Sequence, residues 1–282
     1  MYFASRPRFD KLIATAKNLR SRDLVLLKMP EYQKIIYSVE NGIARITLNR
    51  PDKRNALDDE IVSEFKDALE AASRDDSVRV VLITGAGKDF CSGADLASLQ
   101  RISEAGVAES MASARVMGEL FLDMRRHSRP IIAAVRGRAL AGGCGLATAC
   151  DIILAAESSR FGYPEVNIGF IPAMVMAILK RSVSEKRAFE LITRGEIIAA
   201  RAALEIGMIN RVFSDDQFEA EVEAYVTQMA GKSASAVSLA KSLLYHMDGM
   251  TFETAIEAGI QMNAITRMTE DCKRGVERFL KK

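Results

Sequence analysis

Residues 131–146 read IIAAVRGRALAGGCGL, an apolar run that gives way to a glycine-rich turn. Ile131 to Val135 is rich in β-branched residues and reads as a buried strand. Gly137, Gly142, Gly143 and Gly145 follow, and from Leu146 a helix-like pattern runs into Asp151. A strand, a glycine turn and a helix leave backbone N–H groups free, because the first amides of a helix have no partner inside it. The helix dipole adds partial positive charge at the same place. Glycine, having no Cβ, lets a ligand atom come close to the backbone. The stretch therefore suits a phosphate, a carboxylate or an oxyanion.

Three familiar versions of such a turn do not fit. A Walker phosphate loop needs Lys-Ser or Lys-Thr after its last glycine, and here Leu146-Ala147 follows. A dinucleotide-binding turn needs G-x-G-x-x-G directly after its strand, and the spacing differs. A nucleophile elbow around Cys144 has Gly142 two residues before it but Leu146 two residues after. Two readings stay open: an oxyanion site, or glycines that serve close helix–strand packing.

A second stretch bears on that choice. Val78 to Thr84, VRVVLIT, is a stronger strand, and it runs into Gly85-Ala-Gly87 and then Phe90-Cys-Ser-Gly-Ala-Asp-Leu96. Two such turns can each offer one N–H to the same oxygen. With these residues the chain resembles the enoyl-CoA hydratase/isomerase (crotonase) superfamily. The matching pieces are Asn49-Arg-Pro51 with Asn55-Ala-Leu57, Phe90-Cys-Ser-Gly-Ala-Asp95, Gly142-Gly143 before Ala149-Cys-Asp151, and Phe161-Gly-Tyr-Pro-Glu165 with Ile168-Gly169. They stand in family order, from about Tyr32 to the C-terminus. The resemblance implies an α/β fold: a crotonase-like ββα spiral core followed by a C-terminal helical trimerisation domain. The expected divisions are a basic N-terminal extension over 1–30, the spiral core over 31–213 and the helical oligomerisation domain over 214–282.

Composition bounds the rest. The chain has 282 residues, 49% hydrophobic and 27% charged, which is globular rather than disordered. No apolar run approaches the length of a membrane span. Net charge is +2, but residues 1–30 carry seven Lys/Arg and two Asp, so the remainder is net negative. That gives no global case for nucleic-acid binding. The four cysteines show no C-x-x-C pair and read as reduced, which favours a cytoplasmic protein. His127 and His246 are the only histidines, and neither stands in a metal-binding pattern. Residues 1–30 place Phe9, Leu12, Ile13, Ala16 and Leu19 at helical spacing among basic residues. They read as a docked surface helix, with an organelle-targeting segment, and hence a mitochondrial matrix location, as the alternative.

Along the core, Asn41-Gly42 between Tyr32–Glu40 and Ile43–Leu48 is a hairpin signal. Asp58 caps an amphipathic helix to Ser73, with Ile61, Phe65, Ala68, Leu69 and Ala72 on one stripe. Residues 97–126 form one or two helices with Met111, Met117, Leu120, Phe121 and Met124, a stripe that reads as core packing, with the lining of an acyl pocket as the alternative. Ile152 to Ala155 is a strand and Ser184 to Thr193 a helix. Ser214-x-x-Gln217 reads as a capping box, and apolar stripes continue over 218–230, 234–246, 251–266 and 270–280.

The resemblance implies the chemistry. An acyl-CoA thioester carbonyl would sit between two backbone N–H groups, which carry over to Ala94 and Gly142. Glu165 carries over as the acid/base, and its apolar surroundings favour a raised pKa. Where two-glutamate hydratases of the superfamily have their first catalytic Glu, this chain has Gly145. Glu119 and Asp123 are the candidate replacements. The CoA moiety is expected near Lys53, Arg54, Ala56, Leu57, Ser92, Asp95, Leu96 and Gly143. Its adenine end is expected at Phe279 and Lys282, from the same or a neighbouring subunit. No metal and no cofactor are expected beyond the CoA thioester as substrate. The expected partners are the acyl-CoA and further copies of the chain, as a homotrimer or homohexamer, with no nucleic acid and no membrane. Enoyl-CoA hydratase leads, with a 3-to-2 enoyl-CoA isomerase as the alternative. A non-catalytic CoA- or RNA-binding member of the fold is the third reading, and the acidic 58–76 helix argues against RNA.

Overall fold

The computed structural model describes residues 32–281, apart from 96, 99, 101–103 and 105. The basic segment 1–30, Leu96 and Lys282 therefore lie outside the described residues. The main sheet has six strands in the order β1-β2-β3-β4-β6-β9. They are β1 (Ile35–Glu40), β2 (Ile43–Leu48), β3 (Val80–Gly85), β4 (Ile131–Val135), β6 (Ile152–Ala156) and β9 (Arg211–Phe213). β1 and β2 form the antiparallel hairpin, turned by Asn41 at φ 52 and Gly42 at φ 78. Every other pairing in this sheet is parallel.

Both faces of a parallel sheet are normally covered, so its strands read as continuous apolar runs. Successive side chains alternate between the two faces. Val81 and Ile83, Ile131, Ala133 and Val135, and Ile153 and Ala155 enter the larger core. On the other face Val80, Leu82, Ile132, Ala134, Leu154 and Ala156 meet Phe218, Val222 and Val226. The larger core is closed partly by helix α1 (Asp59–Arg74), which buries Ile61, Phe65, Ala68, Leu69 and Ala72. Asp58 Oδ1 caps it by accepting from Ile61 N at 2.9 Å, as the sequence predicts. Helix α2 (Val107–Arg126) follows; Leu120, Phe121 and Met124 are buried, while Met111 is exposed, so the methionine stripe only partly enters the core.

The expected capping box at Ser214 does not form. Helix α7 (Phe218–Ala230) starts four residues later, with Gln217 as its N-cap and no side-chain cap bond. Ser214 instead offers its carbonyl to Gln217 N at 3.2 Å, in the turn that leads in. Burial of Phe218 against the sheet sets where this helix begins. Because α7 covers the second sheet face, it packs as part of the core.

A second sheet was not legible in the sequence. It joins β5 (Arg138–Leu140), β7 (Arg160–Gly162) and β8 (Ile197–Ala199), with β5 parallel to β7. Two isolated parallel bridges extend it, Cys91 to Ala139 and Leu57 to Ala94. Helix α3 (Gly142–Ala149) leaves the end of β5 after only one residue. Helices α4 (Ala173–Ser182), α5 (Glu185–Arg194) and α6 (Ala200–Glu205) complete this side. Beyond α7, the chain adds α8 (Ala234–His246), α9 (Phe252–Met268) and α10 (Glu270–Leu280). No helix among the described residues is long and apolar enough to cross a membrane.

One largely buried ion pair, with Lys241 buried and Asp151 partly so, ties α8 to the sheet. Lys241 Nζ donates to Asp151 Oδ2 at 2.7 Å and to the carbonyls of Met124 and Arg129 at 3.0 and 3.1 Å. Asp151 Oδ2 also accepts from Ile131 N at 2.6 Å, and Oδ1 accepts from Tyr245 Oη at 2.5 Å. Every partner is thus hydrogen-bonded, the condition under which a buried pair is tolerated. Lys241→Met strands the Asp151 charge in the interior. It should cost about 3–5 kcal/mol of unfolding free energy, read from urea denaturation; an unchanged midpoint would show that the pair contributes nothing.

Candidate active site

The site grows from the small sheet. Cys91 lies beside Ala139, and Ala139 beside Phe161. Counting forward along these parallel segments, Ala94 and Gly142 each stand three residues beyond the matched pair, and Glu165 four residues beyond Phe161. All three therefore collect at the carboxyl end of adjacent parallel strands, where open parallel sheets offer a crevice. Tyr163 and Pro164 carry the chain from β7 into a single 3₁₀ segment, Pro164–Ile168, that holds Glu165.

Strand geometry aims the first amide. Leu57 N donates to Gly93 O at 2.7 Å, and Asp95 N donates to Leu57 O at 2.9 Å. Both groups point to one side, so the Ala94 N–H between them points to the other, toward the 139–142 segment. Gly142 opens α3, so its N–H is one of the helix's unpartnered donors. Among the described residues neither amide has an acceptor. Contact between the two turns depends on glycine. A Cβ on Gly93, at φ +100, would stand 2.8 Å from Ala141 Cβ, and one on Gly143 would stand 2.3 Å from Cys91 O. At Gly142 a Cβ would meet no protein atom closer than 3.8 Å, and one atom at that distance is Ala94 N. A small group at Gly142 thus has room beside the Ala94 amide.

Glu165 is only 8% exposed, and its Oε2 has no hydrogen-bond partner. Burial lifts its pKa above the ordinary glutamate value, an effect its own backbone amide only partly offsets. Beneath it, Tyr163 is fully buried and its hydroxyl lies 3.2 Å from Thr148 Oγ1. Thr148 Oγ1 donates back to the carbonyls of Cys144 and Gly145 at 2.9 and 3.1 Å. Burial foremost, with a further push from the Glu165 charge, raises the Cys144 thiol to about 12, so it is no nucleophile.

The other expected residues divide. Lys53 and Arg54 are exposed on the turn after Pro51, with Arg54 and Asn55 both at positive φ. That turn lies against the 92–95 segment through Ser92 N to Arg54 O at 3.0 Å. Ala56 and Leu57 are buried and can offer backbone only. Asp95 is taken by Arg50 at 3.1 Å and by Ala97 N at 2.9 Å, so it shapes the turn. Arg50 also pairs with Asp58 at 2.8 Å and donates to Ala56 O. The sequence quoted Arg50 within a motif without giving it this clamping role, which depends on two carboxylates distant in the chain. Phe279 is 80% exposed on α10, which packs on α8 and α9. Glu119 and Asp123 face Lys66 of α1, at 3.5 and 3.7 Å, with side chains about half exposed. They are turned to the outer surface of α2. Among the described residues no three His, Cys, Asp or Glu side chains converge as a metal site.

Comparison with known proteins gives the family. The sequence pattern of the Enoyl-CoA hydratase/isomerase family matches residues 38–282. A Thermus thermophilus protein provisionally named an enoyl-CoA hydratase is 38% identical over 245 residues, covering 86% of this chain and 97% of its own. The 2,3-dehydroadipyl-CoA hydratase of Escherichia coli is 33% identical, covering 88% of this chain and 96% of its own. The crystal structure of an enoyl-CoA hydratase from Mycobacterium smegmatis superposes with a TM-score of 0.84 at 30% identity, covering 88% of this chain and 96% of that one. The two turns, the spiral they hang on and these likenesses together show that the chain belongs to the enoyl-CoA hydratase/isomerase family.

Proposed function

We propose that the protein hydrates a 2-enoyl-CoA thioester. The observation that carries this reading is that two unpartnered amides, Ala94 N–H and Gly142 N–H, and the buried carboxyl of Glu165 all stand just beyond the ends of adjacent parallel segments. The thioester oxygen accepts from both amides. Glu165 takes a proton from water as the water oxygen bonds to C3. The C2=C3 electron pair moves toward the thioester as an enolate, which the amides stabilise without reorganising. Glu165 then returns the proton to C2. Fixed donors of this kind are each worth about 10²–10³ in rate. The exposed Lys53 and Arg54 are suited to the phosphates of CoA.

The glycine at 145 favours a second reading, 3-to-2 double-bond isomerisation. That reaction needs one base: Glu165 removes a proton from C2 of a 3-enoyl thioester and returns it to C4. A turnover screen of 2- and 3-enoyl-CoA thioesters from short to long chains, with products identified, decides between them.

Glu165→Gln should lower turnover by about 10²–10⁴-fold while saturated acyl-CoA still binds. Because burial raises the native pKa, the acid limb of wild-type turnover should fall above the ordinary glutamate value of about 4.3. The stability sign follows. The native state holds this proton more tightly than the unfolded chain, so ionised Glu165 penalises folding at neutral pH. The penalty vanishes below about pH 4.3 and grows until the raised native value is passed. Glu165→Gln should melt above wild type at pH 7, with the gap closing as pH falls. A variant that keeps wild-type turnover removes Glu165 from the mechanism.

A glycine contrast tests the oxyanion site. Gly142→Ala has room to fold but puts a methyl beside the Ala94 amide, and should cost about 10²-fold in turnover with little change in melting. Gly143→Ala drives a Cβ into the Cys91 carbonyl and should chiefly destabilise. Equal activity in Gly142→Ala and wild type would exclude the shared oxygen site.

Assembly belongs to the same proposal. On α9, Phe252, Ile256 and Ile260 follow one another at four-residue spacing on one face and are all exposed in one copy. We assign this face to a trimer or a dimer of trimers, in a reducing, cytoplasmic setting consistent with four free cysteines. A chain ending before Thr251 keeps α7 on the sheet and Lys241 on Asp151, and should run as a monomer in light scattering. Full-length protein should run as a trimer or hexamer; a full-length monomer overturns the assignment.

A further inference from the structure

The first turn of α3 is Gly-Gly-Cys-Gly, an expensive way to begin a helix, since each glycine costs roughly 1 kcal/mol against alanine. Gly143 is explained by the Cys91 carbonyl and Gly142 by the room beside the Ala94 amide. Gly145 has a different neighbour. Its φ is ordinary, so its backbone would accept a side chain. A Cβ built on it would lie 2.4 Å from Val175 Cγ2, with Val175 Cβ and Cγ1 both at 3.5 Å. Val175 is 5% exposed, in the first turn of α4. The obstacle is thus a single branched side chain reaching in from the next helix, and no backbone atom stands nearer.

We propose that Val175 is a specificity-determining residue: its side chain fills the place of a residue-145 side chain and leaves Glu165 as the one proton-carrying group of the site. The inference rests on the proposed reading of Glu165 and the two amides. Residue 145 is two positions into α3 from the Gly143 close approach, adjacent to Cys144, whose thiol feels the Glu165 charge. A polar side chain there would stand beside the catalytic carboxyl. Val175 supplies methyl groups instead, and Glu165 Oε2 has no protein partner. A water beside Glu165 would meet the Val175 methyl groups on this side, where a carboxylate at 145 could have helped to hold it. Such a site suits a proton carried by one group from carbon to carbon. Hydration, where the water must be both held and deprotonated, then depends on Glu165 alone. The pair therefore makes hydration depend on Glu165 alone and weakens it relative to double-bond migration, compared with a site that carries a second carboxylate at 145.

Two measurements test this. The first is a thermal double-mutant cycle that needs no substrate. Gly145→Ala alone should melt well below wild type, because its methyl meets Val175. Val175→Ala alone should also melt lower, because it leaves a void. Gly145→Ala with Val175→Ala should melt above either single variant, since the new methyl fills the vacated space. Additive losses overturn the proposal. The second measurement exchanges the side chains. Gly145→Glu with Val175→Gly should raise the ratio of hydration of 2-hexenoyl-CoA to isomerisation of 3-hexenoyl-CoA by about tenfold or more, whereas Gly145→Glu alone should melt far below the double variant. Gly145→Asp with Val175→Ala makes the same comparison with less bulk. A folded double variant whose ratio is unchanged overturns the proposal. Glu165→Gln in both backgrounds separates the two ideas: retained turnover there defeats the reading of Glu165, while lost turnover with an unchanged ratio defeats only the role of Val175.

Discussion

Everything at the site depends on two backbone segments lying closer than side chains permit. Residues 91–94 run beside 139–142, with Cys91 N bonded to Arg138 O at 3.0 Å and Leu140 N to Cys91 O at 3.0 Å. Glycine at 93 and at 143 is what allows the approach. Once the segments are zipped, the direction of each amide follows from strand alternation, and no side chain is needed to aim them. The amides of Ala94 and Gly142 are therefore as rigid as the sheet that bears them. Electrostatic stabilisation benefits from this, because donors that are already in place need not reorganise as charge develops.

The same segments are braced from outside. Asn55 is fully buried at φ 56; its Nδ2 donates to Ala86 O at 2.9 Å and Asp89 O at 2.7 Å, and its Oδ1 accepts from Arg50 N at 2.9 Å. Arg50 then bonds Asp58 and Asp95. One amide and one guanidinium thus join the hairpin exit, the α1 cap and the Ala94 turn. On the far side, Asp151 fixes the start of β4 and receives Lys241 and Tyr245 from α8. The stretch from Ile131 to Asp151 is held at both ends, and the glycine-rich turn lies between them.

What the sequence made legible was local or carried by ordered motifs. Asn41-Gly42 turned the hairpin because two residues with positive φ suit that turn. Asp58 capped α1, and the period of its apolar residues matched the buried stripe. The positions of Ala94, Gly142 and Glu165 came from the motif resemblance, and the small sheet supplies the physical reason they meet. That sheet itself was hidden. β5, β7 and β8 have three residues each, too few for a period to show. The start of α7 was misread because a tertiary contact at Phe218, and no cap, decides it. Val175 carried no signal either, since its meaning lies in a contact with a glycine thirty residues earlier.

The remaining tension is between the site and the fold around it. A carboxylate at 8% exposure with an unsatisfied oxygen destabilises the native state in its charged form. Three glycines in the first turn of α3 add a further cost. Neither feature helps the protein fold, and both are what proton transfer beside an oxyanion requires: a carboxyl with raised proton affinity, and a helix start bare enough to admit a ligand oxygen. Compensation comes from surroundings that take no part in the chemistry. The main sheet is covered on both faces, buried Lys241 and half-buried Asp151 have their partners complete, and Thr148 with Tyr163 closes the floor of the site through hydroxyl bonds. A helix start that local propensity disfavours and a buried carboxyl without a partner lie close together in the chain's fold, and such a coincidence of local and global conflict is itself an argument that the place is functional.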